Sequence, residues 1–339
     1  MGGSRDEAES TSDWLALAGL GESYEELGDV AESLISGGPP PAAGPAPVAR
    51  GSMIIDTDIG GDPDDTVAVV AAARRVPELA LVITSDEYGG ERARFVRHLL
   101  DLVGRPDVKV VAGSDLGNSR LYFVDGLFPA DVPKQDDDLV SAIAEVCAST
   151  TGRIRWVGIG PLSNLATLQS QRPELVARLV VTQMGGAFAY RDPSRAEHNF
   201  RVDPEAVIRM LPVLEPWRPT FVVNDVTFNP AMEITAGSPI YQRWAQPDAP
   251  PWAKILRAQC DRWTERYPGS MQHDGLTLAA ATLWPGIRFG RERVALDSIA
   301  RMSRSGDGTE IIVSISADYT AFMSWLDSTL DWSRAAQLP

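Results

Sequence analysis

What most limits the fold of this chain is a repeated alternation. Short runs of continuous apolar residues are each followed by a stretch of helical periodicity. MIID (53–56) reads as a strand and DDTVAVVAAARR as the helix after it. ALVITS (80–85), VKVVAG (108–113), IRWVGIG (154–160), the end of LVARLVVTQMGG and PTFVVND (219–225) read as further strands. ERARFVRHLLDLVG, DLVSAIAEVCAST, LSNLATLQSQ and PEAVIRML read as helices. Strands that are apolar on both faces and joined by helices imply a sheet covered on both sides. The expected class is therefore α/β, a single domain with a mixed, mostly parallel central sheet flanked by helices. Ligands of such sheets sit beyond the carboxyl ends of the strands. The loops after the strands are where chemistry is to be sought.

Residues 1–51 differ from the rest. Trp14, Leu17, Leu20, Tyr24, Leu27, Val30 and Leu34 recur at helical spacing, interrupted by Gly19, Gly21 and Gly28. The expected division is an acidic helical extension over 1–36, a Pro/Ala/Gly linker over 37–51 and the main α/β domain over 52–339. The extension reads as an accessory tail or as a docking element for a protein partner. Of the net charge of −15, residues 1–50 carry −7, from nine acidic and two basic residues. A nucleic-acid partner needs a basic patch, so that class is disfavoured. No apolar run is long enough for a membrane helix, and the acidic start lacks the pattern of a secretory signal. Cys147 and Cys260 stand far apart with no metal-type spacing. A cytoplasmic, disulfide-free protein is the expectation.

DTDIGGDPDD, directly after the first strand, places Asp56, Asp58, Asp62, Asp64 and Asp65 within ten residues. Clustered carboxylates repel one another and stay ionised together only around a cation. An oxygen-only donor set favours a hard ion, Ca²⁺ or Mg²⁺. Helix capping competes with this reading. Pro63 suits a first helical position, which makes Asp62 the N-cap, with Asp64 and Asp65 favoured by the dipole. Capping leaves Asp56 and Asp58 unexplained.

Polar segments follow the later strands too: GIGPLSNLA, TQMGGAF, AEHNFRVDPEA, NDVT and, near a late helix, QHDGLTLA. In this order, with DTDIGGDPDDTVAV ahead of them and SADYTAFMSWL behind, they resemble the motifs of the inosine–uridine-preferring nucleoside hydrolase family. The resemblance runs roughly from Met53 to Leu330. It implies a single α/β domain that cleaves the N-glycosidic bond of ribonucleosides with one tightly bound Ca²⁺ per chain. Carried over residue by residue, the ligands would be Asp58, Asp64, Asp65, Asp274 and the backbone carbonyl of Ile159. Asp58 would be the base that takes a proton from water, and His273 the general acid at the leaving base. Asn199 and Glu197 would bind ribose hydroxyls and Met184 would line the sugar pocket. Asp56 would buttress the loop from behind. The family also implies a homo-oligomer.

Four departures bear on substrate. The signature carries two additional residues, which leaves Asp62 as N-cap or ligand. SDEYGGE stands where the family has a Gly-Asn pair whose Asn reaches the sugar, so Glu87 or Tyr88 takes that place depending on where a gap falls, and Glu87 would add another carboxylate there. Arg191 replaces an Asn that faces the 5′ region, where it reads as a surface arginine of the RDPSRAE loop or as a group for a 5′ anion, and His198 replaces an aromatic residue beneath the sugar or base. Arginine can pair bidentately with phosphate or carboxylate. The implied function is calcium-dependent hydrolysis of a ribonucleoside, or of a modified or 5′-substituted nucleoside, to ribose or a ribose derivative and free base. The alternatives are a hydrolase of another ribosylated metabolite in a biosynthetic pathway, and a non-catalytic, metal-dependent ligand-binding or scaffolding protein. The aromatic residues Tyr241, Trp244, Trp252, Trp263 and Tyr267 read individually as packing.

Overall fold

The structure, a computed structural model, describes residues 51–117 and 122–333. The expected acidic helix and nearly all of the expected linker lie outside the described residues. The packed domain begins one residue before the expected boundary. Gly51 is buried, and its carbonyl accepts from Arg155 Nε and a terminal nitrogen at 3.0 and 2.8 Å.

Eleven strands are described: β1 Met53–Thr57, β2 Leu79–Thr84, β3 Lys109–Ala112, β4 Ile154–Gly158, β5 Leu179–Met184, β6 Thr220–Val222, β7 Glu233–Ile234, β8 Ser270–Met271, β9 Ile287–Leu296, β10 Met302–Arg304 and β11 Thr309–Ala317. Nine form one sheet in the order β10-β9-β11-β6-β5-β4-β1-β2-β3, and β7 and β8 form a separate ribbon. The run from β11 to β3 pairs in parallel; β9 runs antiparallel to β11 and β10. The sheet is mixed and mostly parallel, flanked by helices, as the alternation requires.

Strands β1 and β4 are buried along their whole length, which explains their unbroken apolar sequences. The Pro63–Arg75 helix is buried from Pro63 to Ala73. Its small residues let the His273–Ala281, Pro251–Thr264 and Tyr319–Leu330 helices pack against it. Chain order sets the functional end. From β1 the chain moves outward to β2 and β3, then returns to β4 on the other side of β1. The β1/β4 junction is thus a topological switch point, where a crevice opens beyond the strand ends. The candidate site residues named above, Glu87 excepted, line it.

One difference from the expected elements has a local cause. β6 stops at Val222, and Asn224–Thr227 forms a helical turn instead of continuing the strand. Asn224 N bonds Gly186 O at 2.9 Å, which turns the chain toward the loop after β5. Asp203 does cap a helix: its Oδ1 accepts from Ala206 N at 3.0 Å. Both cysteines are buried and free. Among the described residues, no helix is long and apolar enough to cross a membrane.

Candidate metal and ribose site

A cleft of about 530 Å³ opens at the switch point. Asp58 reaches it from the end of β1 and Ile159 from the end of β4. Close approach of these two loops requires Gly160, where a Cβ would come 2.8 Å from the Asp58 nitrogen. After β5, Gly185 (φ +152°) and Gly186 (φ +78°) take conformations that favour glycine, and a Cβ at Gly185 would strike the Phe200 ring. That double glycine turns Met184 and the following loop along the cleft.

Asp64 and Asp65 open the Pro63–Arg75 helix, and Asp274 sits in the first turn of the His273–Ala281 helix. Each offers one carboxylate oxygen, and the three oxygens lie within 4.8 Å of one another. All three side chains are buried. Burial first, and repulsion from neighbouring aspartates second, hold their carboxyls well above the usual range. The hydrogen bonds present are few: Thr57 Oγ1 donates to Asp65 Oδ1 at 2.5 Å, and Asp64 accepts from Asp65 N at 3.1 Å and Asp274 N at 3.4 Å. Three converging carboxylates with so few donors form a set that suits a hard cation.

Asp58 stands outside that triangle. Its Oδ2 lies 3.7 Å from His198 Nε2. Arg201 donates to His198 Nδ1 at 3.1 Å, which leaves the ring hydrogen on Nε2, facing Asp58. Burial acts to lower the His198 pKa, but the bond and charge of Asp58 outweigh it and raise the value. His198 therefore serves as a partner of Asp58 as well as a lining group. The Ile159 carbonyl accepts from Asn199 Nδ2 at 3.2 Å, and Asn199 also donates to Met184 O at 3.2 Å. Glu197 accepts from Gly186 N and Phe200 N at 3.1 and 3.3 Å, and burial raises its pKa. Asp56 lies behind the loop, where Asn164 donates to it at 2.8 Å and burial raises its pKa to about 8.

His273 lines the cleft with Nδ1 2.7 Å from Thr227 Oγ1 and its ring stacked with Phe228 at 17° between planes. Burial, then the charges of Arg191 and His198, lower its pKa to about 3. Arg191 also lines the cleft. Its guanidinium lies 4.9 Å from the centre of the Tyr190 ring and 5.1 Å from that of Phe228.

Glu87 is placed differently from the expectation. It does not line the cleft. Its carboxylate accepts from Tyr88 N, Arg92 N and Ala93 N at 2.9, 2.8 and 3.2 Å, and from the Thr84 hydroxyl. It closes the start of the Glu91–Val103 helix, whose own N-cap residue is Gly90. Its neighbour Asp86 lines the cleft instead, in a left-handed conformation (φ 45°). Arg92 is the functional residue the sequence reading missed. Buried beneath the cleft, it donates to Asp58 O and Ile59 O at 2.5 Å and to Asp86 O at 2.7 Å. Trp263 and Tyr267, stacked at 4.0 Å between ring centres, line the mouth. Trp263 is also buried against Phe123, so packing and lining coincide there.

Comparison with known proteins agrees with this geometry. The inosine-uridine preferring nucleoside hydrolase family model matches residues 53–331. The pyrimidine-specific ribonucleoside hydrolase RihA of Salmonella paratyphi B is 32% identical over 174 residues, covering 45% of this chain and 54% of that protein. The chain thus spans about half the length of the curated relatives it matches. Two solved structures share the fold: the plant nucleoside hydrolase PpNRh1 (TM-score 0.70, 23% identity, covering 83% of this chain and 99% of that one) and an inosine-uridine preferring nucleoside hydrolase from Bacillus anthracis (TM-score 0.66, 19% identity, covering 82% and 99%). With its motifs in order around one cleft and the family model matched over most of its length, the chain belongs to the inosine-uridine preferring nucleoside hydrolase family.

Proposed function

We propose that the chain is an N-glycosidase that uses one Ca²⁺ to split ribose from the base of a nucleoside carrying a 5′ substituent. The observation that supports this most is the meeting of the Asp64, Asp65 and Asp274 carboxylates beside Asp58 and His273 in one cleft. Asp64, Asp65, Asp274, Asp58 and the Ile159 carbonyl would hold the cation. Five protein oxygens exceed what Mg²⁺ usually takes, so Ca²⁺ is the better fit. When bound, the cation supplies attraction for a diol and eases loss of a proton from water.

The chain's own residues do the rest. Asp58, steadied by His198, receives the proton from water. Asn199 and Glu197 hold ribose hydroxyls, and Met184 provides an apolar wall. The acidic lining favours the positive charge that develops on the sugar as the bond breaks. In the free protein burial and the charge of Arg191 hold the His273 ring neutral near pH 7. The neutral ring can hydrogen-bond the departing base, and it gives that base a proton once the negative charge growing there brings it to the imidazolium form. Arg191, stacked among aromatic rings at the mouth, presents its donors to a 5′ anion.

The test is metal analysis combined with a hydrolysis screen over nucleosides, their 5′-phosphates and other ribosylated compounds. The expected result is one Ca²⁺ per chain and release of free base, lost in Asp58→Ala. Arg191→Ala should slow 5′-phosphorylated substrates about 10- to 100-fold, the worth of a hydrogen bond to a charged group, and leave unsubstituted nucleosides unchanged. Efficient hydrolysis of plain nucleosides with no effect of Arg191→Ala would refute the 5′ reading. Cation binding without release of base from any substrate would favour a ligand-binding protein.

A further inference from the structure

Asp62 is the aspartate that the proposed chemistry does not use. It occupies the N-cap position of the Pro63–Arg75 helix, yet its side chain makes no cap hydrogen bond. Its Oδ1 instead accepts from the hydroxyl of Ser270, which lies 208 positions away. Ser270 is buried in the β7–β8 ribbon, three residues before His273 and four before Asp274. Gln272 bridges the interval, donating to Ser270 O and Oγ at 3.1 and 3.2 Å. The other side of the loop is also fixed. Fully buried Gln259 donates to Gly61 O at 3.1 Å and accepts from Thr66 Oγ1 at 2.7 Å.

The carboxylate triangle is assembled from two distant parts of the chain. Asp64 and Asp65 come from the first turn of the Pro63–Arg75 helix, and Asp274 from the first turn of the His273–Ala281 helix. Between these parts, the direct link within the triangle is Asp274 N to Asp64 at 3.4 Å, a long and weak bond. The Asp62–Ser270 bond joins the same two parts two to three residues from the ligands on one side and four on the other. It is also much the shorter of the two, which makes it the stronger tie. Gly60–Asp62 and Ser270 thereby fix the separation across which the oxygens converge.

We infer that Asp62 and Ser270 are a positioning pair whose hydrogen bond sets the span between Asp64/Asp65 and Asp274 for the cation. The inference rests on the metal reading above. It assigns the two additional residues of the signature a purpose: they supply a tether to the segment that carries Asp274.

Two variants separate the tether from its alternatives. Ser270→Ala removes the bond and keeps the carboxyl of Asp62. Asp62→Asn removes the carboxyl and keeps an acceptor for Ser270. Calorimetric titration of full-length protein with Ca²⁺, with melting curves in chelator, reads both. The expected result is a 10- to 100-fold weaker Ca²⁺ affinity in Ser270→Ala, the usual effect of losing a group that orients ligands, and Asp62→Asn within a few fold of the unaltered chain. The reverse pattern, Asp62→Asn weak and Ser270→Ala unchanged, would make Asp62 a direct ligand and overturn the tether. So would a Ser270→Ala protein that melts lower in chelator but binds Ca²⁺ normally, since the bond would then be structural only. No Ca²⁺ binding by the unaltered chain would overturn the metal reading itself, and the tether with it.

Discussion

Removing calcium should abolish base release and lower the melting temperature by about 8 °C, with a loss that grows as pH rises. The stabilisation expected from a ligand at a thousandfold excess over its Kd is about 4 kcal/mol, and a chain of this size moves about 2 °C per kcal/mol. The pH dependence follows from the buried acids. Asp64, Asp65 and Asp274 have folded-state pKa values raised above 3.8, by burial and then by one another. A carboxyl with a raised folded value favours the native state fully below its unfolded pKa. That contribution is lost as pH climbs through the raised value. In chelator the melting temperature should therefore fall between pH 5 and pH 8. With Ca²⁺ bound the slope should shrink, because the cation takes the place of the protons. It should not vanish, since burial also holds Asp56 and Asp62 near 8. Asp65→Asn should melt above the unaltered chain in chelator at pH 8 and gain nothing from Ca²⁺. Scanning calorimetry with and without calcium checks this; a flat curve in chelator, or no shift on adding Ca²⁺, would refute it.

The central sheet was legible because its strands are buried on both faces. MIID and IRWVG carry no solvent-facing alternation to confuse them with anything else, and both became strands. The far edge was harder. β9 reads IRFGRERVAL, with charged residues along a partly exposed strand, and its antiparallel pairing with β11 depends on contacts the local pattern does not encode. PTFVVND is shorter as a strand than its sequence suggests, because β6 stops at Val222 and Asn224 turns toward Gly186.

In the site, the aspartates were legible as a cluster, and the chain does bring Asp64 and Asp65 to Asp274 across more than two hundred positions. Their neighbours were less so. Glu87 looked like one more carboxylate for the sugar, but a carboxylate a few residues before a helix can equally take the free amides of its first turn. Ser270 gave no signal, because one serine before a His-Asp pair is unremarkable until the fold sets it against Asp62. Arg92 did leave a trace. It shares the face of Phe95, Val96 and Leu99, the apolar side of its helix, where a surface arginine has no reason to be.

That buried arginine yields the second large effect. Arg92→Leu should destabilise the fold by about 3–5 kcal/mol, the usual loss when one member of a buried charged network is removed. Its guanidinium satisfies three carbonyls, those of Asp58, Ile59 and Asp86, and stands 3.6 Å from the Asp86 carboxylate. Without it, buried acceptors lose their donors, and Asp86 loses the bond that holds its left-handed backbone. Its positive charge also offsets that of Asp65. Lysine should not rescue the variant, because one ammonium cannot reproduce the planar fork that reaches carbonyls on two loops. The damage should extend to the cation: the loop bearing Asp58 is set by these bonds, so Ca²⁺ affinity should fall by about 10-fold or more in Arg92→Lys even where that protein still folds. Denaturant unfolding and calcium titration of both variants decide the matter. If Arg92→Lys bound Ca²⁺ like the unaltered chain, charge alone would suffice under the cleft, and the geometry of the fork would be incidental.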